Sequence, residues 1–245
     1  MKKGDQINPV PCECSRQANQ PVNRRNFLKA ATASVAGFLA ACSPFKKTAT
    51  PTPLPTATPT PVPTPVPTPT AVGDLSGKKV LYILAKDGYA VGCHVYSETL
   101  LKGKNAILST ASWTKEGVPV WGGGTLPPLI PDLLVSEVKA ADFDAIIFEC
   151  STPMDANDPD ALRICQEAVQ QGKVLAALCM MPAILATAGV LEGIKATSNA
   201  GEAVILQEKG AIFTGTAIEK VGKIITASYD GRAQFGIMIA EALAE

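Results

Sequence analysis

Short apolar runs alternate with helix-like segments over the C-terminal part of the chain. Continuous apolar runs of this length are typical of strands buried on both faces of a parallel sheet. Helices are predicted between them, at about Val91–Lys102 and Asp158–Gln171, the second closed by Gly172. This alternation predicts an α/β fold, a three-layer α/β/α sandwich with a mostly parallel, flavodoxin-like sheet. The four main predicted strands are Val80–Leu84, Ala106–Thr110, Ala145–Phe148 and Val174–Leu178.

The pattern continues with shorter elements toward the C-terminus. Ala211–Phe213 and Lys223–Thr226 are predicted to add strands to the sheet, and Gly231–Leu243 is predicted as a closing amphipathic helix. We therefore place one globular domain at residues 75–245.

A proline-rich segment precedes this domain. Ten of the 20 prolines of the chain lie between Pro44 and Pro69, mostly alternating with threonine. Alternating prolines fix φ and remove backbone donors, so the segment is predicted to be an extended, polyproline-II-like spacer. At ~3.1 Å per residue, about 25 residues would reach roughly 75 Å. Residues 43–74 are interpreted as a tether.

The N-terminal 42 residues have the pattern of an export signal. Arg24 and Arg25 precede Phe-Leu-Lys, as in twin-arginine signals, and the apolar run Ala30–Ala41 is too short to span a bilayer. Leu-Ala-Ala-Cys at its end resembles a lipobox, which predicts lipidation of Cys42. The expected product is a lipoprotein that lies outside the cytoplasm and contacts the cell membrane through Cys42. An uncleaved anchor with an incidental cysteine is the alternative.

Charge in the domain differs from charge in the whole chain. The chain has 22 basic and 22 acidic residues, but eight basic and three acidic ones precede Leu75. The domain is left with 14 basic and 19 acidic residues, the opposite of a phosphate-binding surface. Nucleic acid is therefore not expected as a partner.

Candidate chemistry lies where the predicted strands end, because ligands in such sheets bind beyond the carboxyl ends of the strands. The segments at these ends are Asp87–His94, Glu149–Ser151 and Cys179–Met181, and each contains a cysteine. At Cys179 a strand stops and a helix begins almost at once. A tight strand-to-helix turn of this kind is the geometry of a nucleophile elbow and favours a reactive thiolate.

The residues around this turn resemble the DJ-1/PfpI family, within the class I glutamine amidotransferase-like fold. The resemblance is carried by Ala177–Pro182, Leu185–Thr197, Asp142–Ile147 and Gly222–Ser228. It implies that Cys179 occupies the nucleophile position and that an acidic residue after the first strand bonds its sulfur. Hydrolase, glyoxalase-like and redox activities on a small-molecule substrate, and a homodimer, are what the resemblance implies. No cofactor is expected.

The sequence departs from the family pattern at three places. Ala90 stands where the family has glutamate, Met180 replaces the histidine found after the cysteine in many members, and Glu149-Cys150-Ser151 replaces Pro-Gly-Gly. The third and fourth predicted strands are expected to be neighbours, so Glu149 could lie across the same sheet edge and replace the missing acid beside Cys179. A solvated loop carboxylate is the alternative for Glu149. The predicted pocket comprises Asp87, Gly88, Tyr89, Ala90, Cys150, Ser151, Met180 and Met181.

These departures leave other interpretations open. Cys93, His94, Cys150 and Cys179, with Glu149, could together bind zinc or copper, since thiolates and imidazole suit these metals. Cys150 and Cys179 could instead form a redox disulfide, whereas Cys165 is predicted to be a core residue. The third alternative is a noncatalytic domain that binds a ligand in a degenerate family pocket.

Overall fold

The computed structural model describes residues 73–122, 126–151 and 156–245. The predicted signal segment 1–42, with Arg24, Arg25 and Cys42, lies outside the described residues, as does nearly all of the tether. The strands of the described part are β1 (Lys79–Ile83), β2 (Tyr89–Ala90), β3 (Ile107–Ser112), β4 (Val120–Trp121), β5 (Leu133–Leu134), β6 (Ala145–Phe148), β7 (Val174–Leu178), β8 (Lys195–Ala196), β9 (Ile212–Phe213), β10 (Ile218–Val221) and β11 (Ile224–Ala227).

Three helices fall close to their predicted places, and a short helix that was not predicted follows β8. The second helix begins as predicted because the Asp158 side chain accepts a hydrogen bond from the Ala161 N–H at 2.9 Å, which caps its first turn. Within the described ranges, no helix is both long and apolar enough to cross a membrane. The helices are α1 (Val91–Gly103), α2 (Pro159–Gln170), α3 (Pro182–Thr187), α4 (Ala203–Glu208) and α5 (Arg232–Ala244), with 3₁₀ turns at Val135–Glu137, Ala140–Asp142, Ala200–Glu202 and Tyr229–Gly231.

The central sheet has seven strands in the order β10-β11-β7-β6-β1-β3-β5. All neighbours are parallel except the β10–β11 hairpin at one edge. Without that hairpin strand and the two-residue β5, the order β3-β1-β6-β7-β11 is the flavodoxin-like one. The predicted α/β class and mostly parallel sheet are therefore confirmed. Strands β6 and β7 are neighbours, as predicted.

Two buried apolar layers cover the two faces of this sheet. Leu81, Ile146 and Leu175 pack with α2 and α3 on one face. Tyr82, Ile147 and the other alternate residues pack with α1 and α5 on the opposite face. Alternation of side chains along each strand explains why every residue of the central strands β6 and β7 is buried. The three-layer sandwich follows from this two-sided burial.

Two predicted details differ in the structure. Strand β9 does not join the main sheet but pairs in parallel with β8 in a separate two-stranded sheet. The position beside β7 is occupied by β11, whose register pairs Ala227 with Leu178. Helix α5 is present, but it is less amphipathic than predicted, since Ile237 and Met238 are only partly buried while Phe235 and Ile239 lie in the core.

Candidate functional site

Cys179 lies at the turn between β7 and α3. Its φ is +71°, a left-handed conformation that residues with a side chain rarely adopt. The turn is held by the Cys179 N–H, which donates to Ala227 O at 2.8 Å, and by the Met181 N–H, which donates to Leu178 O at 3.2 Å. Strain of this kind costs about 1–3 kcal/mol and is concentrated at functional sites. The predicted elbow geometry is present at Cys179.

Asn199 supplies a polar partner for the Cys179 sulfur. Its Nδ2 lies 2.9 Å from Cys179 Sγ, and its backbone N–H donates to Cys179 O at 2.9 Å. The amide orientation is fixed because Oδ1 accepts the Tyr229 N–H at 2.9 Å, and the reversed amide would place two donors against each other. An N–H aimed at sulfur stabilises a thiolate more than a thiol.

Glu202 is electrostatically coupled to the same sulfur. It ends the 3₁₀ turn Ala200–Glu202, which follows Asn199, and its side chain is half-buried. Burial raises the pKa of the Glu202 carboxyl above its ordinary value, and the negative charge of Cys179 raises it further. The Glu202 carboxyl therefore retains its proton more readily than an exposed glutamate does.

The first predicted loop packs against the residues that follow β6. Asp87 is exposed and paired with Lys86 at 2.9 Å, so its carboxylate points to solvent. Gly88 has a φ of +130° and lies under the Trp121 ring, where an added Cβ would be 2.6 Å from a ring carbon. Tyr89 and Ala90 are buried, and the Ala90 N–H donates to Cys150 O at 2.9 Å.

Glu149 is fully buried at the end of β6, within a polar cluster under α1. Its Oε1 accepts the Cys150 N–H at 2.9 Å, and its Oε2 accepts the Ser97 hydroxyl at 3.3 Å. The same Oε2 lies 3.5 Å from His94 Nδ1, while His94 Nε2 lies 3.7 Å from Glu98 Oε2. This geometry makes Glu149 an anchor for α1. Its predicted role as the acid beside Cys179 stays a prediction.

Two tyrosines complete that polar cluster. The Tyr82 hydroxyl lies 3.2 Å from Ser97 Oγ, and the Tyr82 and Tyr89 rings contact His94 edge-on. Burial raises the pKa of both tyrosines, and the charges of Glu98 and Glu149 raise them further. Both hydroxyls therefore stay protonated at neutral pH. We call Tyr82, Tyr89, His94, Ser97 and Glu149 the α1 cluster.

Ser151 connects the end of β6 to the elbow. Its hydroxyl lies 3.0 Å from Glu149 O and 3.7 Å from Met181 Sδ. Met181 is buried and Met180 is partly exposed on the turn itself. The structure thus brings Ser151, after β6, into contact with Met181, after β7, whereas Asp87 is exposed.

The four cysteines of the domain are buried thiols at Cys93, Cys150, Cys165 and Cys179. Burial raises the pKa of Cys165, which agrees with its predicted place in the core of α2. Among residues 73–122, 126–151 and 156–245, no group of three or more His, Cys, Asp or Glu side chains is placed to hold a metal ion. The metal interpretation therefore gains no support from the described residues, because His94 is turned between Glu98 and Glu149.

Asn199 and Glu202 are the site residues that the sequence did not predict. They follow β8 rather than a strand of the main sheet, so the rule that places ligands at strand ends did not select them. The sequence has only a weak signal for this part of the site, the polar pair Ser198-Asn199, which follows the apolar segment after the elbow. The hydrogen bonds from Asn199 to Cys179 bring this segment back to the turn.

Solved structures with the same fold support this arrangement of strands and helices. A ThiJ/PfpI domain protein from Brachyspira murdochii is 21% identical with a TM-score of 0.64, and the match covers 69% of this chain and 98% of that one. A two-domain protein from Anabaena variabilis, with DJ-1/ThiJ/PfpI-like and ferritin-like domains, is 24% identical with a TM-score of 0.63, covering 68% and 48%. Drosophila melanogaster DJ-1beta is 23% identical with a TM-score of 0.57, covering 68% and 90%.

Similarity at the sequence level agrees with these structures. An uncharacterized protein of Methanocaldococcus jannaschii is 33% identical over 90 residues, and the match covers 36% of this chain and 44% of that protein. This chain therefore spans less than half the length of that curated relative. The DJ-1/PfpI family model matches residues 78–242, which is more than half of the 245 residues. On this evidence, the chain belongs to the DJ-1/PfpI family.

Proposed function

We propose that this protein is an exported, lipid-anchored thiol protein whose Cys179 reacts as a thiolate with small electrophiles, and with peroxides above all. The observation that carries the proposal is the hydrogen bond from Asn199 Nδ2 to Cys179 Sγ at 2.9 Å. Hydrogen bonds to charged groups contribute about 1.5–3 kcal/mol, so this amide favours the ionised sulfur at the elbow.

Burial of the sulfur favours redox chemistry among the activities that the family resemblance implies. Cys179 is 0% exposed, so a small reagent reaches its sulfur more easily than a peptide does. Cysteine hydrolases also pair the thiol with an imidazole base. Here His94 lies between Glu98 and Glu149. A peroxide or a small carbonyl compound fits these constraints better than a peptide.

The test is the rate at which Cys179 reacts in the full-length protein. Below pH 7 an ordinary thiol, with a pKa near 8.5, is almost fully protonated and reacts slowly. We expect Cys179 to be alkylated by iodoacetamide below pH 7, and to give a dimedone adduct after brief exposure to hydrogen peroxide. Peptide mass spectrometry identifies the modified residue. Cys165 serves as the internal control, because burial raises its pKa.

A Cys179→Ser variant identifies the source of the signal. It should lose both the alkylation and the dimedone adduct, while the Cys165 peptide stays unmodified. If Cys179 is alkylated no faster than Cys165 at any pH, the proposal is contradicted.

A noncatalytic ligand-binding domain is the second candidate. The observations that favour it are the full burial of Cys179 and the methyl group of Ala90, which stands where the family has glutamate. On this alternative, Cys179 is a packing residue of the elbow. A Cys179→Ser variant would then bind the same ligands as wild type, and both proteins would be inert toward peroxide.

The proposed location rests on the N-terminal sequence. Lipidation of Cys42 after twin-arginine export would hold the domain outside the cytoplasm, at the end of a proline-rich tether. Mass spectrometry of the mature N-terminus should find acylated Cys42, and Cys42→Ala should release the protein from the membrane fraction. Replacing both Arg24 and Arg25 by lysine should leave the precursor in the cytoplasm. An unprocessed protein that remains membrane-bound in all variants would contradict lipidation.

We propose a small-molecule substrate or ligand and a homodimer as partners, and no nucleic acid. The acidic balance of the domain supports the exclusion of nucleic acid, because phosphate binding requires basic surface. Sedimentation equilibrium of the full-length protein in detergent measures the oligomeric state. A monomer at all concentrations would contradict the dimer.

A further inference from the structure

The segment that follows β11 contacts the elbow at two points. The Cys179 N–H donates to Ala227 O at 2.8 Å, and the Tyr229 N–H donates to Asn199 Oδ1 at 2.9 Å. The first bond holds the backbone of the cysteine, and the second orients the amide whose Nδ2 lies 2.9 Å from Cys179 Sγ. The donor at the sulfur therefore depends on the position of the Tyr229 backbone.

Arg232, the first residue of α5, holds that backbone. Its Nη1 donates to Tyr229 O at 2.9 Å, and its guanidinium lies 4.1 Å from the centroid of the Tyr229 ring. The same guanidinium lies 6.0 Å from the centroid of the Tyr96 ring on α1. A guanidinium has its donors in a rigid plane that also stacks on aromatic faces. One side chain thus fixes both the carbonyl and the ring of Tyr229.

The turn between β11 and α5 is short and closely packed. The Ser228 N–H donates to Ala217 O at 3.0 Å, and the Gly231 N–H donates to Ser228 O at 3.0 Å. A Cβ added at Gly231 would lie 2.1 Å from Ala217 O, so the chain passes directly against that carbonyl. The N–H, the carbonyl and the ring of Tyr229 share one Cα atom. Because Arg232 fixes the last two, it also restricts the direction of the N–H.

The two arginines of the folded domain have different surroundings. Arg163, on α2, pairs with Asp160 at 3.2 Å and with Glu167 at 3.0 Å. The contacts of Arg232 in the structure are with the Tyr229 turn and the Tyr96 ring. This comparison supports a role for Arg232 at the turn that carries the Tyr229 N–H.

Resting on the proposed thiol function, we propose that Arg232 is a positioning residue of the Cys179 site. Arg232 holds the Tyr229 backbone where its N–H accepts only one orientation of the Asn199 amide, the one with Nδ2 directed at the sulfur. Its effect on Cys179 passes through Asn199. Without Arg232, the Tyr229 N–H moves more freely, the amide is held less firmly, and the thiolate loses part of its stabilisation.

The first test replaces the guanidinium in the full-length protein. In Arg232→Met, we expect iodoacetamide to alkylate Cys179 about 3- to 10-fold more slowly at pH 7, the size of one hydrogen bond. The pH of half-maximal alkylation should rise, and the rates of the two proteins should converge at high pH, where both sulfurs are ionised. Arg232→Lys keeps a charged donor for Tyr229 O and should recover part of the rate.

A double-mutant cycle tests whether the effect passes through the amide. Asn199→Asp keeps an oxygen for the Tyr229 N–H but offers no donor to the sulfur. Arg232→Met added to Asn199→Asp should therefore change the alkylation rate by less than about 2-fold, the usual scatter of such cycles. Tyr229→Leu keeps both backbone groups and removes the ring, so it should slow alkylation less than Arg232→Met does.

Arg163→Met is the matched control. Arg163 Nη1 also donates to a backbone carbonyl, Val138 O at 3.1 Å, but on the opposite face of the sheet. This variant should alkylate Cys179 at the wild-type rate. Urea denaturation of every variant shows whether it is folded under the assay conditions, and Arg232→Lys and Tyr229→Leu carry the test if Arg232→Met does not fold.

The outcomes distinguish this inference from the proposed function. A wild-type alkylation profile in Arg232→Met would overturn the inference, as would an equal loss at every pH, which would indicate only a structural role. A full further loss in the Asn199→Asp background would also overturn it, because the charge would then act on the sulfur without the amide. Each of these results leaves the reactivity of Cys179 intact. A wild-type Cys179 that is inert to iodoacetamide would overturn the proposed function and the inference together.

Discussion

The elbow and the α1 cluster are two polar regions at the same edge of the sheet, and their buried polar groups have different hydrogen-bond partners. In the α1 cluster, the Glu149 oxygens accept hydrogen bonds from Ser97 and from a backbone N–H, and His94 lies beside them. At the elbow, Cys179 is held in a left-handed conformation with Asn199 at its sulfur. The first arrangement stabilises the packing of α1 against the sheet. The second combines a strained backbone at Cys179 with a hydrogen bond to its sulfur.

Burial alone does not identify a reactive group. Cys165 and Cys179 are both fully buried, but Cys165 lies in the middle of α2 within an apolar layer. Desolvation raises its pKa and keeps it a thiol. What distinguishes Cys179 is the amide aimed at its sulfur and the carboxyl group coupled to it.

The largest expected effect is on stability, at the α1 cluster. Glu149→Ala deprives the Cys150 N–H of its acceptor in the interior and leaves His94 without the neighbouring carboxylate, while the Ser97 hydroxyl keeps His94 O as an acceptor at 3.1 Å. Since each buried group without a partner costs about 1–3 kcal/mol, we expect a loss of about 3–5 kcal/mol in the free energy of unfolding, measured by urea denaturation. Ser97→Ala removes one hydroxyl and should cost clearly less. An equal loss in the free energy of unfolding in the two variants would show that Glu149 is not the central residue of the cluster.

The next effect is on reactivity, at the elbow. Asn199→Asp keeps an oxygen for the Tyr229 N–H but replaces the donor to Cys179 Sγ with a negative oxygen. We expect alkylation of Cys179 at pH 7 to slow by about 10- to 100-fold, which corresponds to the 1.5–3 kcal/mol of a hydrogen bond to a charged group. Rates come from peptide mass spectrometry, with Cys165 as the internal control. An alkylation rate equal to wild type would mean that Asn199 does not stabilise the thiolate.

A third effect concerns the loop that lies between the two regions. Gly88→Ala places a Cβ 2.6 Å from the Trp121 ring at a φ of +130°, so the ring must move and the backbone is strained. We expect a loss of about 1–3 kcal/mol in the free energy of unfolding, with a change in tryptophan fluorescence. Gly92→Ala, with no atom within 4 Å of the added Cβ, is the control. It should be neutral or stabilising by up to about 1 kcal/mol, and a loss there would point to a general effect on α1.

The smallest expected effect is the pH dependence of stability from Glu202. Its pKa is raised in the folded protein, so the folded state holds this proton more tightly than the unfolded state does. The corresponding stability is fully present below the pKa of the unfolded chain and is lost as pH rises through the raised folded value. Relative to Glu202→Gln, wild type should therefore lose stability between pH 4 and pH 8, as urea denaturation at both values would show. A difference that is independent of pH would contradict the raised pKa.

The main strands were predictable because their signal is local. Strands β6 and β7 have their predicted bounds, Ala145–Phe148 and Val174–Leu178. A strand made only of apolar residues is stable mainly where both faces of the sheet are covered by other elements. Ile212–Phe213 was assigned to the wrong sheet for a related reason. A run of two or three apolar residues is compatible with several partners, and the choice depends on which edge of the sheet is already occupied.

The α/β class, the family, and the cysteine at the turn between β7 and α3 follow from the amino-acid sequence. These features depend on residues close together in the chain, whose pattern selects a strand, a helix or a tight turn. The groups that contact the sulfur are set by tertiary packing. Asn199 reaches Cys179 across 20 residues of sequence, and Glu149, adjacent to the predicted pocket, bonds instead to Ser97 across 52 residues. Contacts of this range are set by how separate segments pack, because no local preference fixes the direction of a loop side chain.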